Sequence, residues 1–102
     1  MMTFKEASEK LEVRGLKVGD IAQHFKRELV KEPKGDQYLY TIEGFVNHTE
    51  TGEILVTYRP LYDPEAIPCG RPIDMFLSEV DHEKYPDIKQ KYRLEKYNVQ
   101  KG

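Results

Sequence analysis

The chain has no tryptophan, a single cysteine and no apolar run approaching the length needed to span a bilayer. With Cys69 alone an internal disulfide is excluded, so the fold must hold by packing, and a reducing, cytoplasmic setting is expected. Its three histidines, His24, His48 and His82, share no H-E-x-x-H or finger spacing, so no metal and no other cofactor is expected. Met1 to Glu6 lacks the apolar stretch of a secretory leader. An excess of either charge is missing too. Lys and Arg number 16 against 18 Asp and Glu, a net charge of -2 that argues against a dedicated duplex-binding protein, though not against a local basic patch. Internal repeats and low-complexity segments are absent.

What remains is a chain of 102 residues, 38% hydrophobic and 33% charged. That length suits one domain with one core, burying roughly two-thirds of its unfolded surface.

Hydrophobic spacing predicts a helix from Thr3 to Val13, capped by Thr3 with Glu6, carrying Phe4, Ala7 and Leu11 on one stripe and ending at Gly15. A first strand is expected over Ile21–Lys26, then a loop over Lys31–Gln37. The clearest strand runs from Tyr38 to Asn47. Strict alternation puts Tyr38, Tyr40, Ile42, Gly44 and Val46 on one face, and Gly44 marks a bulge or a close backbone approach. Its partner is Ile54–Tyr62, joined through Thr49-Glu50-Thr51-Gly52, where glycine supplies a positive φ. Asp63 to Gly70 reads as a loop, and Ile73 to Val80 returns to the core. Asp81 is placed to cap a short turn reaching Tyr85. Lys91–Val99 is a closing strand or a helical tail. Five short strands predict a mainly β protein, a small antiparallel barrel. The divisions are residues 1–17 as a helical extension, 18–97 as the β domain and 98–102 as a tail.

Several side chains could carry chemistry. His24 and His48, the latter close to Glu50, have the residue types of an acid–base pair, or of rim histidines that hold loop backbone. Arg71, followed by Pro72 and set among Tyr58, Tyr62 and Phe76, pairs a guanidinium with flat rings, the combination that grips carboxylate or phosphate and stacks aromatic ligands. The plainer account gives Arg71 an ion pair with Asp74 or Glu79 and buries the rings. Cys69 beside Gly70 has no histidine at a spacing that would activate it. Lys84, Lys89, Lys91, Arg93 and Lys96 interleave with Tyr85, Tyr92 and Tyr97, but Asp81, Glu83, Asp87 and Glu95 dilute them into a solvated charged face.

The ordered set Gly19, His24-Phe25-Lys26, Tyr38, Gly44, His48-Thr49-Glu50-Thr51-Gly52-Glu53, Leu55-Val56, Tyr58, Leu61-Tyr62, Arg71-Pro72, Met75-Phe76-Leu77 and Val80 resembles a family of small bacterial proteins, domain of unknown function 1653. Asp81-His82-Glu83-Lys84-Tyr85-Pro86 and Lys89-Gln90-Lys91-Tyr92-Arg93 extend the resemblance, which covers roughly residues 18 to 97. It implies an SH3-like β-barrel and no established activity. The chain departs from the family in Arg27-Glu28-Leu29-Val30 and the charged loop after it, and in Pro68-Cys69-Gly70 before Arg71.

The expected function is a non-enzymatic binding module with no catalytic residues. It would recognise an anionic or aromatic ligand (a nucleotide, single-stranded RNA or a protein partner) through His24, Lys26, His48, Glu50, Tyr58, Tyr62, Arg71 and Asp74. The alternative is a small hydrolase-like enzyme that uses a His/Glu pair. Neither reading involves a membrane, and a monomer or homodimer suits both.

Overall fold

In the computed structural model the described residues are 2–31 and 35–98. Residues 32–34 of the anticipated loop and 99–102 of the anticipated tail lie outside them. Helix α1 spans Phe4–Glu12, and its first turn is closed reciprocally. Glu6 N–H donates to Thr3 Oγ1 at 3.1 Å, and Thr3 N–H donates to Glu6 Oε1 at 3.2 Å. Ala7, Leu11 and Leu16 are buried in the same cluster as Ala22, Ile42, Val56, Phe76 and Leu94. The segment set apart as an extension therefore supplies part of the core, each fully buried leucine contributing about 1.5–3 kcal/mol.

Strands β1 (Ile21–His24), β2 (Leu39–Asn47), β3 (Ile54–Pro60), β4 (Cys69–Pro72) and β5 (Leu94–Lys96) form one antiparallel sheet in the order β4-β3-β2-β1-β5. The mainly β architecture, with five antiparallel strands and a short N-terminal helix, forms as expected, and the sheet is not closed into a barrel. Directly after Pro72 the chain turns into the one-turn helix α2 (Ile73–Phe76), so β4 ends before it could reach β5. Irregular backbone spans the gap instead. Glu79 bridges Tyr92, and Val80 N–H donates to Lys91 O while Arg93 N–H donates to Ser78 O, both at 2.9 Å.

Other expectations shift by short distances. β1 stops at His24 rather than Lys26, because His24 Nδ1 accepts the Lys26 N–H and caps a 3₁₀ helix, Phe25–Leu29. β3 stops at Pro60, where the chain turns through the Asp63 N–H to Pro60 O bond. Cys69 and Gly70, expected in a loop, belong to β4. The final segment resolves into β5, paired with β1.

The hairpin and the irregularity at Gly44 both form. Gly52 has φ +75°, and its N–H donates to His48 O at 2.8 Å. Between Ile42 and Gly44 the β2–β3 register slips, so Glu43 is the extra residue of a bulge. This corrects the strict alternation. Above the bulge Tyr40 and Ile42 face the core. Beyond it the core side passes to Phe45, which pairs with fully buried Val56, while Val46 is left exposed.

A second cluster, Phe25, Val80 and Ile88 with Tyr85, forms under the 3₁₀ helix. The Glu28 carboxylate accepts the N–H groups of Lys89 and Gln90 at 2.9 and 2.8 Å, and buried Gln90 donates to Gln23 O and Tyr92 O. These bonds tie the C-terminal segment to β1.

Candidate functional site

The β2–β3–β4 register gathers polar groups at one end of the core face. Ile42 pairs with Tyr58, and Tyr58 with Cys69; Ala22 pairs with Tyr40 and Val56 with Arg71. Facing residues of paired strands share a side, so Tyr40, Tyr58, Cys69 and Arg71 all point the same way. Their contacts form a chain. The Tyr40 and Tyr58 rings meet edge-on at 5.3 Å between centroids, and Arg71 Nε donates to the Tyr58 phenolic oxygen at 3.2 Å. His24 lies 6.5 Å from Tyr40 and 6.0 Å from Tyr38, and its other neighbour is Phe25, stacked at 4.6 Å.

His24 is buried, and its Nδ1 accepts the Lys26 N–H at 3.1 Å. An accepting Nδ1 carries no proton, so the neutral ring holds its hydrogen on Nε2. Among the described residues no hydrogen bond uses Nε2, and no side-chain nitrogen or oxygen is sealed away without a partner. That N–H therefore opens to solvent. Burial first, then the positive charges of Arg71, Lys26 and Arg93, hold the imidazole down at about 4. It is neutral at physiological pH and acts as a donor there.

Among the described residues the three cations have no carboxylate partner. The ion pairs among the described residues are Lys10–Asp74, Arg59–Glu43 and Lys96–Asp20, and none involves Lys26, Arg71 or Arg93. Among the described residues the terminal nitrogens of Arg71 have no hydrogen-bond partner, while Arg93 Nε reaches Ser78 Oγ at 3.4 Å. The Tyr40 phenol is pushed above its ordinary value by burial and then by Tyr62, Tyr58, Cys69 and Tyr38, so it too stays protonated. The end of the core face is rich in donors and poor in acceptors.

Tyr38 enters through strained backbone. It has φ +63° in the turn that Leu39 N–H closes onto Asp36 O at 2.9 Å, a slot ordinarily taken by glycine or asparagine. Holding a tyrosine there costs about 1–2 kcal/mol. Across from it, Leu61 N–H donates to Leu39 O at 2.9 Å, which carries the register one step past β3 and brings exposed Tyr62 alongside.

Of the eight residues named from the sequence, His24, Lys26, Tyr58, Tyr62 and Arg71 fall at this end of the sheet. Tyr58 is buried, so its phenolic oxygen rather than its ring face is what the site can use. His48 and Glu50 sit past the opposite end of β2, about 30 Å of extended strand away. His48 Nδ1 accepts the N–H groups of Glu50 and Thr51 at 3.2 and 3.3 Å, so that imidazole holds the hairpin turn. Asp74 is exposed on α2 and pairs with Lys10 at 2.9 Å, not with Arg71. His48 is therefore not brought to His24, and although it shares the hairpin with Glu50, among the described residues no ion pair joins its imidazole to the Glu50 carboxylate.

Tyr38, Tyr40 and Arg93 were missed. The signal for Tyr38 and Tyr40 was their place on the same alternating face as Ile42, while Arg93 stood in the basic, aromatic-interleaved run that reads as a solvated face. In the C-terminal segment two of the interleaved rings are met by cations from other parts of the chain. The Arg14 guanidinium lies 4.2 Å over the Tyr92 ring centroid, and Arg27 lies 5.8 Å from that of Tyr97. Among the described residues no group of three or more His, Cys, Asp or Glu side chains is placed to hold a metal ion. No described helix is long and apolar enough to cross a membrane.

Fold and site together define a small, mainly β domain with a donor-rich, cationic end to an open five-stranded sheet. Residues 20–96 match the family model described as "Protein of unknown function (DUF1653)", and the chain belongs to that family. No curated protein and no solved structure matches it.

Proposed function

We propose that this protein is a small cytoplasmic binding module of bacterial type, without catalytic activity, whose ligand presents an oxyanion to Arg71 at the end of the core face. His24 Nε2–H, the Tyr40 and Tyr58 hydroxyls and the Lys26 ammonium would complete the cradle. Within this proposal the fold is an SH3-like barrel opened between β4 and β5. The observation that carries the reading is the grouping of Arg71, Lys26 and Arg93 around a neutral histidine, with no carboxylate paired to any of them among the described residues. Solvated cations beside half-buried donors offer an anion charge-assisted hydrogen bonds. The enzymatic alternative draws less support from the geometry: His24 lies at the other end of β2 from His48, and His48 Nδ1 is taken up by the backbone N–H groups of Glu50 and Thr51 rather than by the Glu50 carboxylate.

The test is titration with inorganic phosphate, followed by backbone amide shifts. Arg71→Gln, which keeps a donor for Tyr58, is expected to weaken binding by about tenfold, the loss of one charge-assisted contact. Arg59→Gln, on the other face of β3 and paired with Glu43, serves as the control and should leave binding unchanged. Equal affinities for the two variants would end the proposal.

A further inference from the structure

The cationic cluster accounts for an anion but not for the aromatic side chains beside it. Tyr38 is the sharpest case. A bulky residue occupies a left-handed turn position, φ +63°, one that glycine fills at no steric cost, and its ring comes to 6.0 Å from His24. Such strain persists where the surrounding structure fixes it, and it concentrates at sites that hold a ligand. Nothing in the core calls for the ring, since Tyr38 remains partly exposed and lies outside both buried clusters. Tyr62 is 61% exposed, and the Leu61–Leu39 bond carries it to the same end of the β2–β3 pair. Both phenols bear on Tyr40, which stands between them and the Tyr58–Arg71 pair. An exposed and a partly exposed tyrosine thus border the proposed oxyanion site.

We propose that the ligand is a nucleotide, its phosphate held by Arg71 and its base laid against the rings of Tyr38 and Tyr62. This rests on the oxyanion reading above and adds the flat ring. A base offers a π face to any tyrosine, so stacking tolerates different bases, while the phosphate supplies the charge that the cations lack. The same chemistry is offered by a free mononucleotide and by one residue of a single strand.

Calorimetric titration of the full chain with AMP, ribose 5-phosphate and inorganic phosphate at one ionic strength separates the parts. AMP is expected to bind about tenfold more tightly than ribose 5-phosphate, the worth of one stacked base. Tyr38→Asn, which tolerates the left-handed backbone but removes the ring, and Tyr62→Ala, at an exposed position, should each cut that ratio to about threefold or less. Both should leave ribose 5-phosphate binding unchanged. A hexameric oligoadenylate that binds more tightly than AMP assigns the nucleotide to a strand, and one that binds equally assigns a free nucleotide. Equal affinities for AMP and ribose 5-phosphate, or a ratio that neither variant alters, overturn the nucleotide assignment and leave the oxyanion site standing. If none of the three probes binds, the oxyanion reading itself is lost.

Discussion

Arg71 Nε donates to the phenolic oxygen of Tyr58 at 3.2 Å, tying edge strand β4 to β3 at the end of the core face. Among the described residues the terminal guanidinium nitrogens have no partner, and the bond uses a hydroxyl on a ring that is otherwise buried against Tyr40 and Phe76. It positions the charge as well as stabilising the edge.

A double-mutant cycle of Tyr58→Phe with Arg71→Met measures that link. The coupling expected from a half-buried hydrogen bond with one charged partner is about 1–2 kcal/mol by denaturant unfolding. A coupling indistinguishable from zero would make the contact incidental.

His24 gives the stability a pH dependence of definite sign. Its folded value, about 4, lies below the unfolded 6.5, so the folded state binds the proton less readily. The contribution is fully present above pH 6.5 and is lost as pH falls towards 4. Its limit is about 3 kcal/mol. Carboxylates titrate in the lower half of that window, so the informative quantity is a difference. His24→Asn keeps an acceptor for the Lys26 N–H, and its stability should fall less steeply between pH 6.5 and 4 than that of the parent. Parallel curves would show that His24 does not carry the effect.

Helix α1 belongs to the core, so its removal should be felt throughout. Leu11 is fully buried among residues of the sheet, and Leu11→Ala should cost about 2–5 kcal/mol. Thr3→Ala, which breaks the capping box, should cost about 1 kcal/mol. Thermal denaturation checks both, and a negligible loss from Leu11→Ala would mean that α1 detaches freely.

Two glycines should respond in opposite ways to alanine. Gly52 has φ +75°, so Gly52→Ala strains the hairpin turn by about 1 kcal/mol. Gly44 lies outside that region, and an added Cβ would meet nothing nearer than Thr57 Oγ1 at 3.8 Å. Gly44→Ala is therefore expected within about 0.5 kcal/mol of the parent. The bulge depends on register rather than on glycine at that position, and equal destabilisation by the two substitutions would contradict this.

Local rules made much of the chain legible. The capping box, the Gly52 hairpin and the alternation of β2 act between residues a few positions apart, so Thr3, Glu6, Gly52, Tyr40 and Ile42 announced their roles in the sequence. The mainly β class, strands β1 to β3 and the family resemblance could likewise be read there, whereas β4 was hidden in a segment with the composition of a loop. Tertiary structure decided what depends on pairing. One extra residue at Glu43 shifts the β2–β3 register, and only with that shift does Tyr58 share the core face with Tyr40 and Ile42. An unshifted hairpin would set Tyr58 opposite Glu43. The same pairing gathers Arg71, 47 positions from His24 in the chain, towards the His24 end of the core face while holding His48 at the far end of β2. Sequence specified the chemical groups because they are intrinsic to the residues. Which of them meet was fixed by register and by where the sheet stays open, both set by packing across the whole domain.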